Sequence, residues 1–210
     1  MSLKLINIGK EFNNEWIFKN INYQFEIPGT YVIRGANGSG KSTLLKIISS
    51  YQYASQGKQE LTIKSKNIPS ENWNKHIAFA APYIELIEEM FVGEFIDFYI
   101  KFKPLVKGIL KKDIIRDARL QQSISQQIQH LSSGMKQRLK LTLAWHSNTS
   151  ILLLDEPCSN LDKNGIEWYK NLAKKYSKDK LVIVCSNNIH DEYFFCENSL
   201  NIEDFNHCSS

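Results

Sequence analysis

The sequence predicts an α/β fold, with a mostly parallel sheet as its core, a small antiparallel sheet ahead of it and a helical segment inserted within it. Three observations predict this. Short apolar runs at residues 30–34, 77–80, 151–154 and 181–184 alternate with segments of helical period, and strands alternating with helices form parallel sheets covered on both faces. Between about Tyr83 and Trp145 the period becomes wholly helical. A glycine-rich turn from Gly35 to Gly40 joins one of the apolar runs to the helix after it.

Each element has its own signal. Residues 3–27 alternate apolar and polar in short runs, broken by Gly9 and the Asn13-Asn14 pair, which is the pattern of a small antiparallel sheet. Pro28-Gly29 then turns the chain into the strand at 30–34. Ser42 opens a helix in which Leu44, Leu45, Ile47 and Ile48 fall on a helical period. Ser55-Gln56-Gly57 breaks the pattern, residues 60–63 form a short strand, and 77–80 a buried one. In the insertion Ile84, Leu86, Ile87 and Phe91 begin the helical period. Phe95, Phe98 and Tyr99 continue it, and Leu139, Leu141, Leu143 and Ala144 close it. Core signals resume with a strand at 151–154, a helix around 165–176 and a strand at 181–184. The tail at 206–210 is expected to fray. The chain is read as one domain over 1–210. Residues 1–82 and 146–210 form the core and its β subdomain, and 83–145 the helical insertion.

Composition bounds the function classes. With 42% hydrophobic and 23% charged residues, the chain has the balance of an ordinary globular protein. No apolar run approaches the ~20 residues of a membrane helix, and no secretory signal opens the chain, so the cytosol is the expected compartment. Cys158, Cys185, Cys196 and Cys208 are widely spaced without a Cys-x-x-Cys pair, which argues for reduced thiols over a zinc site or disulfides. The net charge of +4 is mild. Lys101, Lys103, Lys107, Lys111 and Lys112 cluster, as do Lys174, Lys175, Lys178 and Lys180. Solvated helix faces are the first reading of both clusters, and a nucleic-acid or lipid-headgroup patch the second.

Chemistry concentrates in three stretches. Gly35-Ala36-Asn37-Gly38-Ser39-Gly40-Lys41-Ser42 fits the phosphate-cradling pattern Gly-x-x-x-x-Gly-Lys-Ser/Thr, between a strand and a helix as that pattern requires. Glycines let successive N–H groups point into one concavity, and the following helix adds its positive end. Lys41 would reach the β- and γ-phosphates, and Ser42 would ligate Mg²⁺. Residues 152–157 form a buried strand that delivers Asp155 and Glu156 at its carboxyl end, where open α/β sheets bind ligands. Asp155 would hold Mg²⁺, and Glu156 would polarise a water aimed at the γ-phosphate. In Leu131-Ser132-Ser133-Gly134-Met135-Lys136-Gln137-Arg138, a serine pair and a glycine head a helix. That makes a second anion site, with Ser132 as the cap. A GTPase is disfavoured, because Asn74-Lys75 lacks the aspartate of the guanine-reading pattern Asn-Lys-x-Asp.

With Ser159-Asn160-Leu161-Asp162, these segments come in the order and spacing of an ABC-type ATP-binding cassette, which the chain resembles over almost its whole length. The family signature reads Leu-Ser-Gly-Gly-Gln followed by Gln-Arg. Leu131, Ser132, Gly134, Gln137 and Arg138 keep it, while Ser133 and Met135 depart. The resemblance implies a P-loop NTPase core and Mg²⁺-dependent ATP hydrolysis. It implies a head-to-tail dimer, homomeric or heteromeric, with each ATP between one subunit's phosphate loop and the other's signature. Gly35, Ala36, Asn37, Gly38, Ser39, Gly40, Lys41, Ser42 and Thr43 would then bind ATP. Ser132, Ser133 and Gly134 would reach it in trans, and Ser159 and Asp162 would lie in the loop linking the two sites. An aromatic residue of the N-terminal sheet stacks on adenine in the family; Phe12 is the first candidate and Trp16 the second. A separate transmembrane permease subunit is implied, docking near residues 82–91 and holding the chain on the inner face of the membrane. Nucleic acid is not the expected partner.

Some positions depart from the family and bear on rate. Its glutamine before the helical insertion falls near Pro82, which offers no side-chain acceptor; Tyr83 and Glu85 are the neighbours that would take over part of that role. Its switch histidine falls at Asn187, with His190 as the alternative. Asn187 can donate a neutral hydrogen bond but carries no charge. With Lys41, Glu156 and Asn187 as the catalytic set, slow hydrolysis is expected. Two other readings stay open: a weakly catalytic or regulatory subunit beside a more active cassette, and a non-transport cassette acting on nucleic acid or ribosomes.

Overall fold

The structure, a computed structural model, describes residues 1–206. Of the tail expected to fray, 206–210, all but Asn206 lies outside the described residues, Cys208 included. The chain begins with a hairpin of β1 (Ser2–Phe12) and β2 (Glu15–Glu26). Asn13 and Asn14 turn it at φ +51° and +64°, a backbone that asparagine tolerates better than bulkier residues. β4 (Gln56–Ile63) and β5 (Lys66–Ile68) complete an antiparallel sheet in the order β2-β1-β4-β5. Ser55-Gln56-Gly57 is thus no break: β4 starts inside it and runs four residues ahead of the predicted strand.

The second sheet holds β3 (Gly29–Arg34), β6 (Ile77–Ala80), β7 (Ile151–Asp155), β8 (Leu181–Ser186) and β9 (Asn198–Asn201). Its order is β6-β7-β8-β3-β9, and every pairing is parallel. All residues of β7 and β8 are buried, which is why their sequences are continuous apolar runs and not alternating ones. One sheet face packs with the antiparallel sheet and α1 (Lys41–Ile48), through Leu153, Ile183, Leu44 and Phe25. The other face, with Leu152, Leu154 and Val184, is covered by α5 (Lys163–Tyr176). Gly165, Trp168, Tyr169, Leu172 and Ala173 of α5 are buried, one helical stripe facing the sheet.

The insertion has its own core, built from α2 (Val92–Phe102), α3 (Lys111–Asp117) and α4 (Ser133–His146). Val92, Ile96, Ile114, Leu120, Leu139 and Leu143 meet there. Its first stretch is not helical. Residues 83–91 are turns and extended chain, and helix starts only at Val92. Ile84, Leu86 and Ile87 line a groove instead, and Phe91 is the exposed residue that precedes α2. Two lysines assigned to solvated clusters also turn inward. Lys103 Nζ donates to the carbonyls of Ile77 and Asn74. Lys180, 6% exposed, donates to Trp145 O and Ser147 O, and burial pushes its pKa down to about 8. Among the described residues no helix is long and apolar enough to cross a membrane, and Cys158, Cys185 and Cys196 are free thiols.

Candidate active site

The site lies at the carboxyl ends of β3, β7 and β8, where the parallel sheet presents its loops. The loop between β3 and α1 takes positive φ at Gly38 (+81°) and Gly40 (+100°). At Gly40 no other residue would fit, since a Cβ would stand 2.6 Å from Ile17 Cγ2 and 2.9 Å from Phe18 Cδ1. The β2 strand thus presses directly on the loop and fixes its curvature. Lys41 is 5% exposed and folds back on the same loop, with Nζ donating to Gly35 O and Ala36 O at 2.8 Å each. The loop is tied from the chain's far end as well: Glu203, in the short turn after β9, accepts a hydrogen bond from the Ala36 N–H at 2.7 Å. A cleft of about 170 Å³ is lined by Ile17, Asn37, Gly38, Gly40, Lys41, Ser42, Thr43 and Glu156.

Asp155 ends β7 and is 1% exposed. Burial pushes its carboxyl above the usual carboxylate range, while the Ser42 and Tyr83 hydroxyls facing it pull it part of the way back. Tyr83 Oη donates to Asp155 Oδ2 at 2.9 Å; Oδ1 is buried and has no hydrogen-bond partner among the described residues. A buried carboxylate oxygen left without a donor, beside a serine hydroxyl, is the oxygen donor set a hard cation such as Mg²⁺ takes. The residues present fit that ion, and Asp155 and Ser42 are the pair that would hold it.

Glu156 follows at φ +42°, the backbone twist that turns its side chain from the strand toward the cleft. Each of its carboxylate oxygens meets a donor: Asn187 Nδ2 on Oε1 at 2.7 Å and Ser159 Oγ on Oε2 at 3.3 Å. Asn187 Oδ1 is buried without a partner among the described residues. The structure therefore brings Asn187, and not His190, to Glu156. His190 is exposed and faces the Tyr193 ring, with centroids 5.6 Å apart. Pro82 offers only its carbonyl, to Lys140. Tyr83 reaches Asp155, whereas Glu85 lines the groove of about 590 Å³ formed with Ile84, Leu86, Ile87, Lys136 and Lys140.

The other predicted residues lie apart from this cleft. Ser132 caps α4, its Oγ accepting from Met135 N at 3.2 Å. Ser133 is exposed, and a Cβ on Gly134 would come within 3.0 Å of Asn160 O, so α4 packs closely on the loop after β7. Gln137 strengthens that contact with a hydrogen bond to Pro157 O at 3.0 Å. None of Ser132, Ser133 or Gly134 lines the phosphate-loop cleft. Asp162 caps α5 through Gly165 N at 2.7 Å. Phe12, 45% exposed, sits at the hairpin end with Lys10 Nζ 4.8 Å from its ring centroid. Trp16 instead packs over Gly9 and under Lys19 Nζ.

Sequence reasoning missed two contributors. Glu192, at the end of β8's loop in α6 (His190–Tyr193), is 1% exposed. Its Oε1 accepts from Cys158 N at 3.2 Å, and burial pushes its pKa up to about 7. Lys140 was the other, an ordinary lysine in a helical sequence; only the fold shows what it binds.

The sequence matches the family described as ABC transporter over residues 18–159. It is 32% identical over 210 residues to the cytochrome c biogenesis ATP-binding export protein CcmA of Reclinomonas americana, covering 95% of this chain and 92% of that protein. It is 29% identical over 205 residues to the ABC transporter ATP-binding protein YybJ of Bacillus subtilis, covering 94% and 91%. Among solved structures, a dimeric bacterial ABC transporter cassette superposes with a TM-score of 0.78 at 25% identity, over 95% of this chain and 94% of that one.

Proposed function

Because the chain belongs to the ABC transporter family as an ATP-binding cassette, we propose that it hydrolyses ATP and uses ATP-dependent dimerisation to drive a separate transmembrane subunit. The observation that carries this reading is the split of its machinery: Lys41, Ser42 and Glu156 line one cleft, Asn187 stands behind it on Glu156 and Asp155 on Tyr83, and Ser132–Gly134 do not line it. A second cassette, identical or related, supplies the missing side.

In this reading the backbone N–H groups of Gly38–Thr43 and the α1 N-terminus hold the phosphates. Lys41 exchanges the carbonyls of Gly35 and Ala36 for phosphate oxygens. Mg²⁺ held by Ser42 and Asp155 would neutralise charge on the β- and γ-phosphates. Glu156 accepts the proton of the attacking water while Asn187 fixes the carboxylate through Oε1. Ser132, Ser133 and the Gly134 N–H of the partner cassette meet the γ-phosphate side, while Phe12 of the chain that holds the phosphates stacks on adenine. Ser159 and Asp162 lie in the loop that faces the second site. The chain works as one ATPase unit, with residues 83–145 as its helical insertion. The permease docks in the groove of Ile84, Leu86 and Ile87 and keeps the chain at the inner membrane face. A second reading, a slow subunit beside a more active cassette, is favoured by one specific feature: an uncharged Asn187 stands where the family's histidine falls.

The test is Glu156→Gln. It keeps ATP binding, stalls turnover and accumulates an ATP-bound dimer, read by light scattering; turnover at the parental rate would remove Glu156 as the base. ATPase activity of the purified chain alone separates the two readings.

A further inference from the structure

We infer that Tyr83 is the positioning residue that sets Asp155 for its cation, and that Lys140 holds Tyr83 in place by clamping the hinge around it. The inference rests on the ATP-site reading above. Tyr83 is fixed at its hydroxyl, its ring and its backbone. Its Oη donates to Asp155 Oδ2 at 2.9 Å, which orients the carboxylate with Oδ1 buried and unpartnered. Its ring meets the edge of Phe79, with centroids 6.3 Å apart at 78°, and carries Lys46 Nζ at 4.4 Å from its centroid. Lys46 belongs to α1, the helix that the phosphate loop opens.

The backbone around Tyr83 is held from the other side. Lys140 Nζ donates to Ala81 O at 2.9 Å, Pro82 O at 3.0 Å and Ile84 O at 3.2 Å. Those bonds use every proton of the ammonium on carbonyls that bracket Tyr83. Proline at 82 lacks an N–H that could tie this segment to a neighbour, and beside the Ile84 N–H bond to Ala81 O the lysine is what fastens its carbonyls. Lys140 lies on α4, the helix whose N-terminus is Ser132. One rigid rod therefore carries both the signature residues and the clamp. A shift of α4 moves the hinge, the hinge moves Tyr83, and Tyr83 moves Asp155. The cation site of this chain is set by the helix that would touch the partner's ATP.

The experiment measures Mn²⁺ affinity by EPR in the presence of ATP, for the full chain and for Tyr83→Phe, Lys140→Met and the double variant, together with ATP binding in EDTA. Tyr83→Phe removes one oxygen and keeps the ring on Phe79 and Lys46. Partners that orient a metal ligand are worth about 10- to 100-fold in metal affinity, and a loss in that range is expected with metal-free ATP binding unchanged. Lys140→Met is expected to lose about 3- to 10-fold, the scale of a hydrogen bond or two. The double variant should be no weaker than Tyr83→Phe alone, since both act through one contact. Parental Mn²⁺ affinity in Tyr83→Phe overturns the role of the phenol. A Lys140→Met loss that adds in full to that of Tyr83→Phe overturns the clamp. A parent chain that binds no ATP overturns the ATP-site reading itself, and the inference with it.

Discussion

Replacing Asn187 by alanine removes the Nδ2 bond to Glu156 Oε1, which is 2.7 Å long and joins a neutral donor to a carboxylate in a partly buried site. Hydrogen bonds to charged groups contribute about 1.5–3 kcal/mol. At ~1.4 kcal/mol per decade of rate, a bond felt wholly in the transition state is worth about ten- to a hundredfold in kcat. Asn187→Ala should therefore lower kcat within that range and leave KM for ATP unchanged, because Asn187 does not line the phosphate-loop cleft. Asn187→His restores a donor at the same position and should match or exceed the parental kcat. The assay is steady-state phosphate release, with melting temperature as the control for folding. Two results would refute the reasoning. Parental kcat in the alanine variant would mean that Glu156 needs no help from Asn187, and a raised kcat would mean that the bond restrains the base.

Other outcomes follow from single contacts. Phe12→Ala should weaken ATP binding about 5- to 100-fold by equilibrium titration, the scale of one base–aromatic stack. Trp16→Ala should instead lower the melting temperature with little change in ATP affinity, because Trp16 packs over Gly9; the reverse pattern would exchange their roles. Glu192 is buried with its pKa raised from 4.5 to about 7. The folded chain thus holds this proton where the unfolded chain has lost it. Its contribution to stability is fullest below pH ~4.5 and is lost as pH rises through ~7, by up to about 3 kcal/mol. Glu192→Gln should remove that slope from the difference between the two melting-temperature profiles, and parallel profiles would exclude the carboxyl as its source.

How far the sequence alone carries depends on what holds each element. β7 and β8 were legible because strands buried on both faces must be apolar throughout, and α5 because its buried positions recur on a helical period. β9 was not. Asn198, Ser199 and Asn201 have no strand signature, and the strand exists because its backbone pairs with β3 at the sheet edge. The stretch at 83–91 carried helical spacing without helix; Lys140 draws the carbonyls at its start, Ala81, Pro82 and Ile84, onto one ammonium. At the candidate site, the glycine-rich loop and the acids at the end of β7 stood out in the sequence, because the chemistry proposed for them allows few residue types at fixed spacing. Asn187 could be reached only by resemblance. Glu192, Lys103 and Lys180 were hidden for a common reason: a charged residue reads as solvated until the fold supplies the donors or carbonyls that satisfy it.

The central claim is that each ATP is held by the glycine loop of one cassette and by Ser132 and Gly134 of the other. Mixing two defective chains, both in the Glu156→Gln background, tests it most directly: one carries Lys41→Ala and the other Gly134→Asp. Each alone should fail to dimerise with Mg·ATP, and the mixture should form a dimer, since pairing the second chain's loop with the first chain's signature rebuilds one complete site. A mixture as monomeric as its components would show that no site is completed across two chains and contradict the account.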